Sequence, residues 1–151
     1  MTARRWTFAA PLLAAASLAA CSAQPSAPAV GDAYVRLAAV PGRPAAGYFL
    51  LHGGAADATL VQVEAPGAAR AELHTSRMTG NGMATMDSLP SVRVPARGSV
   101  AFAPGAQHVM LFGLPAGVAP GSTLPLTLRF ADGSALRADA RVIAAGDAAP
   151  E

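Results

Sequence analysis

Four side chains carry most of the chemistry this sequence offers. Eleven residues separate His74 from Met86, twenty-one separate Met86 from His108, and Met110 follows His108 with one residue between. In an extended strand successive side chains alternate between faces, so His108-Val109-Met110 presents an imidazole and a thioether on one side and Val109 on the other. Two ligands from one strand need two more, and His74 and Met86 are the candidates. Thioether sulfur is a soft donor that binds copper(I) well and zinc or hard ions poorly, whereas imidazole is borderline. A His and Met set therefore selects copper(I) by ligand softness. Such a site is neutral apart from the metal, which suits a carrier that must release its ion.

The elements that must position these residues are short strands. Residues 32–143 are punctuated by Gly and Pro about every ten residues, with runs of Val, Leu, Phe and Tyr between them and no apolar period of 3.6. Strands are expected over 33–40, 47–53, 59–65, 71–74, 84–87, 91–94, 99–102, 108–113, 124–130 and 136–143, in an all-β sandwich or barrel. Leu124 to Phe130 alternates, Ala131-Asp132-Gly133-Ser134 signals a turn, and Leu136 to Val142 alternates again, so a C-terminal hairpin is expected with Pro125 at an edge or strand start. Asn81-Gly82 also signals a tight hairpin. A two-residue turn there would pair Arg77 with Met86 and His74 with Leu89, leaving His74 and Met86 on opposite faces. A shared ion therefore requires a wider loop over Thr75 to Met83, or a bulge.

Composition removes whole classes of function. The chain has 151 residues, 52% hydrophobic and 13% charged, which suits one compact domain. All eleven basic residues are Arg, so P-loop, Schiff-base and pyridoxal chemistry are excluded. Arg4 and Arg5 precede an apolar run from Trp6 to Ala20 that reads as a signal peptide over residues 1–20, too short to span a bilayer comfortably. Beyond it nine Arg balance nine Asp and Glu, with no basic run, which argues against a nucleic-acid partner.

Leu18-Ala19-Ala20-Cys21 resembles the bacterial lipobox, which implies that Cys21 becomes the acylated first residue of an exported, membrane-anchored lipoprotein facing the periplasm or extracytoplasmic space. Cys21 is the only cysteine. The domain then has no disulfide, thiolate ligand or cysteine nucleophile, and cysteine-based zinc sites, iron–sulfur clusters and blue copper fall away with it. Residues 21–31 after the signal read as a lipidated Cys and flexible tether, and 144–151 as a flexible tail.

The pattern His74, Met86, His108-x-Met110 resembles the signature of the periplasmic copper(I) chaperones called PCu(A)C, with Thr75 in the slot where that signature has an optional Met. The likeness extends to Ala46-Gly47-Tyr48-Phe49, Glu72-Leu73-His74 and His108 to Leu114. It implies a cupredoxin-like, immunoglobulin-like β-sandwich or barrel that holds one copper(I) at those four side chains. It also implies delivery to a copper-accepting partner such as the CuA-containing subunit of cytochrome c oxidase or an assembly factor. Some relatives carry a His- and Met-rich tail for a second copper; residues 144–151 contain neither type.

The other polar residues have plainer readings. His52 is expected as a strand-end residue with a local hydrogen bond, and Met78 and Met83 as loop or rim residues whose auxiliary ligand role stays open. Asp57, Glu64, Glu72 and Asp87 read as solvated or paired with Arg. No Gly-x-Ser-x-Gly elbow or His-Glu-x-x-His motif supports a hydrolase. The expectation is a monomeric, non-enzymatic copper(I) chaperone. The alternatives are a copper-storage or resistance protein without delivery and a cupredoxin-like electron carrier, the latter disfavoured by the missing Cys ligand.

Overall fold

The computed structural model describes residues 26–150. The expected signal segment 1–20, the expected lipidation site Cys21 and Glu151 lie outside the described residues. Ten strands follow one another: β1 Ala29–Arg36, β2 Ala45–His52, β3 Ala58–Glu64, β4 Arg70–Met78, β5 Ala84–Leu89, β6 Val92–Val94, β7 Ser99–Phe102, β8 Gln107–Phe112, β9 Thr123–Phe130 and β10 Ala135–Ile143. They join in the order β5-β4-β8-β7-β2-β1-β10-β9-β3-β6. Contact between β3 and β4 brings the two ends of this order together, so the sheet is a nearly closed all-β barrel of the expected class.

Strand β2 shows why these sequences pair as they do. Ala45, Gly47, Phe49 and Leu51 point inward and are buried, while Ala46, Tyr48, Leu50 and His52 point out. Its first half pairs with β8, placing Ala46 opposite Met110 and Gly47 opposite Val109, and its second half pairs with β7, placing Phe49 opposite Phe102. The Phe49 and Phe102 rings stack with centroids 4.3 Å apart. Val35, Leu51, Leu60, Val94, Val109, Leu111, Leu126, Leu128 and Val142 are fully buried around them. Each contributes about 1.5–3 kcal/mol by leaving water.

The structure revises several boundaries, and β1 ends at Arg36, four residues short of the expected end at Val40. β1 starts inside the expected tether, because Ala29 to Gly31 pair with His52 to Leu50 ahead of a one-residue bulge. Asp32 in that bulge takes a left-handed φ of 52°, and the shift aligns Tyr34 with Tyr48. The expected tail begins with a tied turn: Asp147 Oδ2 accepts from the Ala144 N–H at 2.8 Å, and the Arg36 guanidinium donates to the carbonyls of Ala145 and Asp147. β4 runs on to Met78, so the loop expected from Thr75 is shorter. The C-terminal hairpin forms as expected, its turn held by Asp132, which accepts from the N–H and hydroxyl of Ser134. Pro125 lies beyond the stretch of β9 that pairs with β3, where its missing N–H leaves no gap in that ladder.

All four carboxylates read as Arg partners have one: Asp57 with Arg93, Glu64 with Arg129, Glu72 with Arg70 and Asp87 with Arg77. Asp57 ties the β3–β6 edge, accepting from Arg93 at 2.6 Å and from the Ala96 N–H at 2.7 Å. These bonds, the Arg93 one foremost, hold its carboxyl below the usual range. A group whose pKa is lowered by folding adds stability above its unfolded pKa and loses it as pH falls through the folded value. Thermal melts of wild type and Asp57→Asn should therefore differ at neutral pH and converge in acid. A difference independent of pH would show that Asp57 acts without its charge.

Candidate metal centre

Strands β5, β4, β8 and β2 form one outward-facing surface. In β4, Arg70, Glu72, His74, Ser76 and Met78 alternate onto it, and Leu73 turns to the core. The β4–β8 register places His74 directly opposite His108 and Glu72 opposite Met110. The β4–β5 register places Ser76 opposite Met86 and His74 opposite Ser88. All four sequence-selected residues, His74, Met86, His108 and Met110, thus lie on the same face. Directly opposed side chains have Cβ atoms about 4.5–5.5 Å apart and diagonal ones about 7–8 Å, within reach of long side chains. His74 and Met86 are diagonal neighbours, as are His74 and Met110.

The β4–β5 connection resolves the conflict over Asn81-Gly82. The Thr79 N–H donates to the Met83 carbonyl at 2.8 Å and the Gly82 N–H donates to the Thr79 carbonyl at 2.9 Å, closing a three-residue loop, Gly80-Asn81-Gly82. Gly82 takes a φ of 79°, a left-handed conformation that glycine adopts without steric cost. One loop residue more than a two-residue turn shifts the pairing by one. That shift brings Met86 onto the face of His74.

The imidazoles are prepared on one side each. His74 Nε2 lies 3.0 Å from Glu72 Oε2. A carboxylate only accepts, so Nε2 carries the proton and Nδ1 the lone pair. That Nδ1 is buried with no hydrogen-bond partner. An unsatisfied buried polar atom costs about 1–3 kcal/mol. His108, 5% exposed, has Nδ1 3.1 Å from the Ala106 carbonyl. Its Nδ1 therefore donates, and the lone pair sits on Nε2. The two rings are 5.9 Å apart between centroids. Tyr48 lies 6.4 Å beyond His108 and Tyr34 5.0 Å beyond Tyr48, so aromatic rings wall this side of the site. Burial, with the neighbouring Tyr34 adding to it, pushes the Tyr48 phenol above its ordinary pKa.

Glu72, expected from the sequence to be solvated or paired with Arg, joins the candidate site through its contact with His74. It also accepts from Arg70 Nε at 2.7 Å, and Arg70 lies over the Phe112 ring at 3.8 Å. The hydrogen bond from His74, followed by that from Arg70, holds the Glu72 carboxyl below its usual range. The alternation Arg70-x-Glu72-x-His74 is a sequence signal for this contact, since a strand puts all three on one face. Metal-binding histidines commonly direct their second N–H to a carboxylate or carbonyl, which orients the ring.

The remaining candidates separate from this cluster. His52 ends β2, with Nδ1 3.0 Å from Ser99 Oγ, a local bond as expected. Met78 and Met83 are both on the β4–β5 hairpin and exposed. Among the described residues, no three His, Cys, Asp or Glu side chains converge as a metal-ligand set. Thioethers are the donors at hand to complete a set with two imidazoles.

The family model described as "Putative lipoprotein LpqE-like" matches residues 29–142. "Putative lipoprotein Lxx21020" of Leifsonia xyli subsp. xyli is 39% identical over 82 residues, 54% of this chain and 49% of that protein. The chain thus matches about half the length of that curated relative. Among solved structures, copper(I)-bearing DR1885 from Deinococcus radiodurans is 31% identical with a TM-score of 0.64, over 82% of this chain and 83% of that one. The copper-bound PCuAC domain from PmoF2 shares the fold at 20% identity and a TM-score of 0.64, over 81% and 96% of the two chains. By the span of the family match and the likeness to DR1885, the chain belongs to the LpqE-like family of PCu(A)C domains.

Proposed function

We propose that this chain is an extracytoplasmic copper(I) chaperone that binds one ion through His74, Met86, His108 and Met110. The observation that carries the reading is the unpartnered, buried Nδ1 of His74, a residue of β4 directly opposite His108 of β8 and diagonal to Met86 of β5 and Met110 of β8. Two neutral nitrogens and two thioethers suit copper(I) and disfavour zinc. The Glu72 and Ala106 contacts orient the rings before the ion arrives. Membership of a family of copper-carrying domains, which are not catalytic enzymes, supports transport over catalysis. The relatives described as lipoproteins support export with an anchor at Cys21. The acceptor in this reading is a cuproenzyme such as a CuA-containing oxidase subunit or its assembly factor.

Titration against a chromogenic copper(I) chelator should give one ion per chain and a strong preference for copper(I) over zinc. A stoichiometry of two or equal zinc affinity would contradict a single soft site. Incubating the loaded protein with an apo CuA domain should move the copper to that domain. Retention of the ion would instead favour storage. Cys21→Ala should release the domain from the membrane or leave an unprocessed precursor, and unchanged membrane fractionation would exclude the lipid anchor.

A further inference from the structure

Strand β4 leaves the barrel before it ends. Its pairing with β8 stops at Thr75 opposite Gln107, with a last bond from the Ser76 N–H to the Ala106 carbonyl. Beyond that point Arg77, Met78 and β5 up to Thr85 form a two-stranded finger at the end of the strand order. Met78, Met83 and Met86, three of the chain's five methionines, are on this hairpin, exposed by 73%, 61% and 60%. Apolar side chains so exposed add little to folding, since they stay in contact with water. Their thioethers remain accessible as soft donors.

Register separates these three. Met78 is opposite Ala84 and Met86 is opposite Ser76, so Met78 and Met86 are diagonal neighbours on the face that bears His74. Met86 is also the diagonal neighbour of His74, and so stands between the imidazoles and Met78. The Thr79 to Met83 bond continues the ladder by one residue, which puts Met83 on the other face.

We propose that Met78 and Met86 form an outer two-thioether station through which copper(I) enters and leaves the inner site, with Met86 shared between the two. The inference rests on the copper(I) reading of the inner site. In the transfer the copper stays monovalent and no electron moves. The ion keeps its bond to Met86 sulfur, gains one to Met78 sulfur, and gives up those to His74, His108 and Met110. Donors of the acceptor then displace both thioethers. A stepwise exchange of this kind avoids a bare ion, and it acts on rate and not on equilibrium, because Met78 takes no part in the resting site.

The test uses the full chain loaded with copper(I), mixed rapidly with excess bathocuproine disulfonate, comparing wild type, Met78→Leu and Met83→Leu. Leucine keeps the size and exposure but removes the sulfur. Met78→Leu should slow transfer on the order of tenfold while the equilibrium affinity stays within about twofold, and Met83→Leu should match wild type in both. Equal rates for Met78→Leu and wild type would overturn the station and leave the inner site standing. A fall in affinity that parallels the rate would make Met78 a resting ligand, which also overturns it. Equal slowing by Met83→Leu would reduce the effect to general hairpin character and count against the assignment. If wild type binds no copper(I), the inner-site reading fails first and the station with it.

Discussion

Replacing His74 with Leu should cut copper(I) affinity by at least on the order of a hundredfold, since loss of a ligand should exceed the 10- to 100-fold cost of losing its outer partner. The apo protein should be no less stable for the change. His74 Nδ1 is buried without a partner, so its removal relieves a penalty, while the loss of the Nε2 bond to Glu72 and of ring packing opposes that gain. Copper raises the stability of the folded chain by mass action, about 2.7 kcal/mol at a free concentration one hundred times Kd. Thermal melts should therefore show a copper-dependent rise in Tm for wild type that vanishes in His74→Leu, from apo baselines that lie close together. Glu72→Ala should fall between the two, with a loss of about 10- to 100-fold and the stoichiometry kept. A variant of His74 that retains wild-type affinity would remove the central ligand from the proposed site.

Phe49→Ala should do the reverse, lowering stability by about 3–5 kcal/mol with little direct effect on the metal. Phe49 is 2% exposed and stacks on Phe102, also 2% exposed, across the β2–β7 pair. Truncation leaves a cavity between two strands that are held in register elsewhere and cannot collapse onto it. With total stabilities of 5–15 kcal/mol typical of a domain, a Tm drop on the order of 10–30 °C is expected. Phe49 points inward while its neighbour Tyr48 points to the His108 side. The variant, assayed well below its own Tm, should still bind one copper(I). A loss below about 1 kcal/mol would mean that the Phe49 and Phe102 stack is not central to the core. The two variants together separate the chemistry of the outer face from the packing of the inner one.

Much of this was open to the sequence because it depends on local alternation. His108-Val109-Met110 had to present imidazole and thioether on one face, since period two belongs to any strand. The choice of soft donors, the lack of a thiolate beyond Cys21 and the C-terminal hairpin were equally legible. The contact of Glu72 with His74 was legible in the same way, by their spacing of two. The register across the β4–β5 hairpin was not. Asn81-Gly82 is compatible with a two-residue or a three-residue loop, and the two differ by one residue of register, which sends Met86 to opposite faces. Burial at the base of the hairpin settles that choice, because Leu89 packs against the core and so must pair with inward-facing Leu73 and not with outward-facing His74. Likewise no local rule states that β4 lies beside β8, or that a one-residue bulge at Asp32 aligns Tyr34 with Tyr48. The sequence determined which soft and borderline donor atoms are on offer. The tertiary structure alone decided which of them meet, because long-range strand pairing is set by burial summed over the whole barrel.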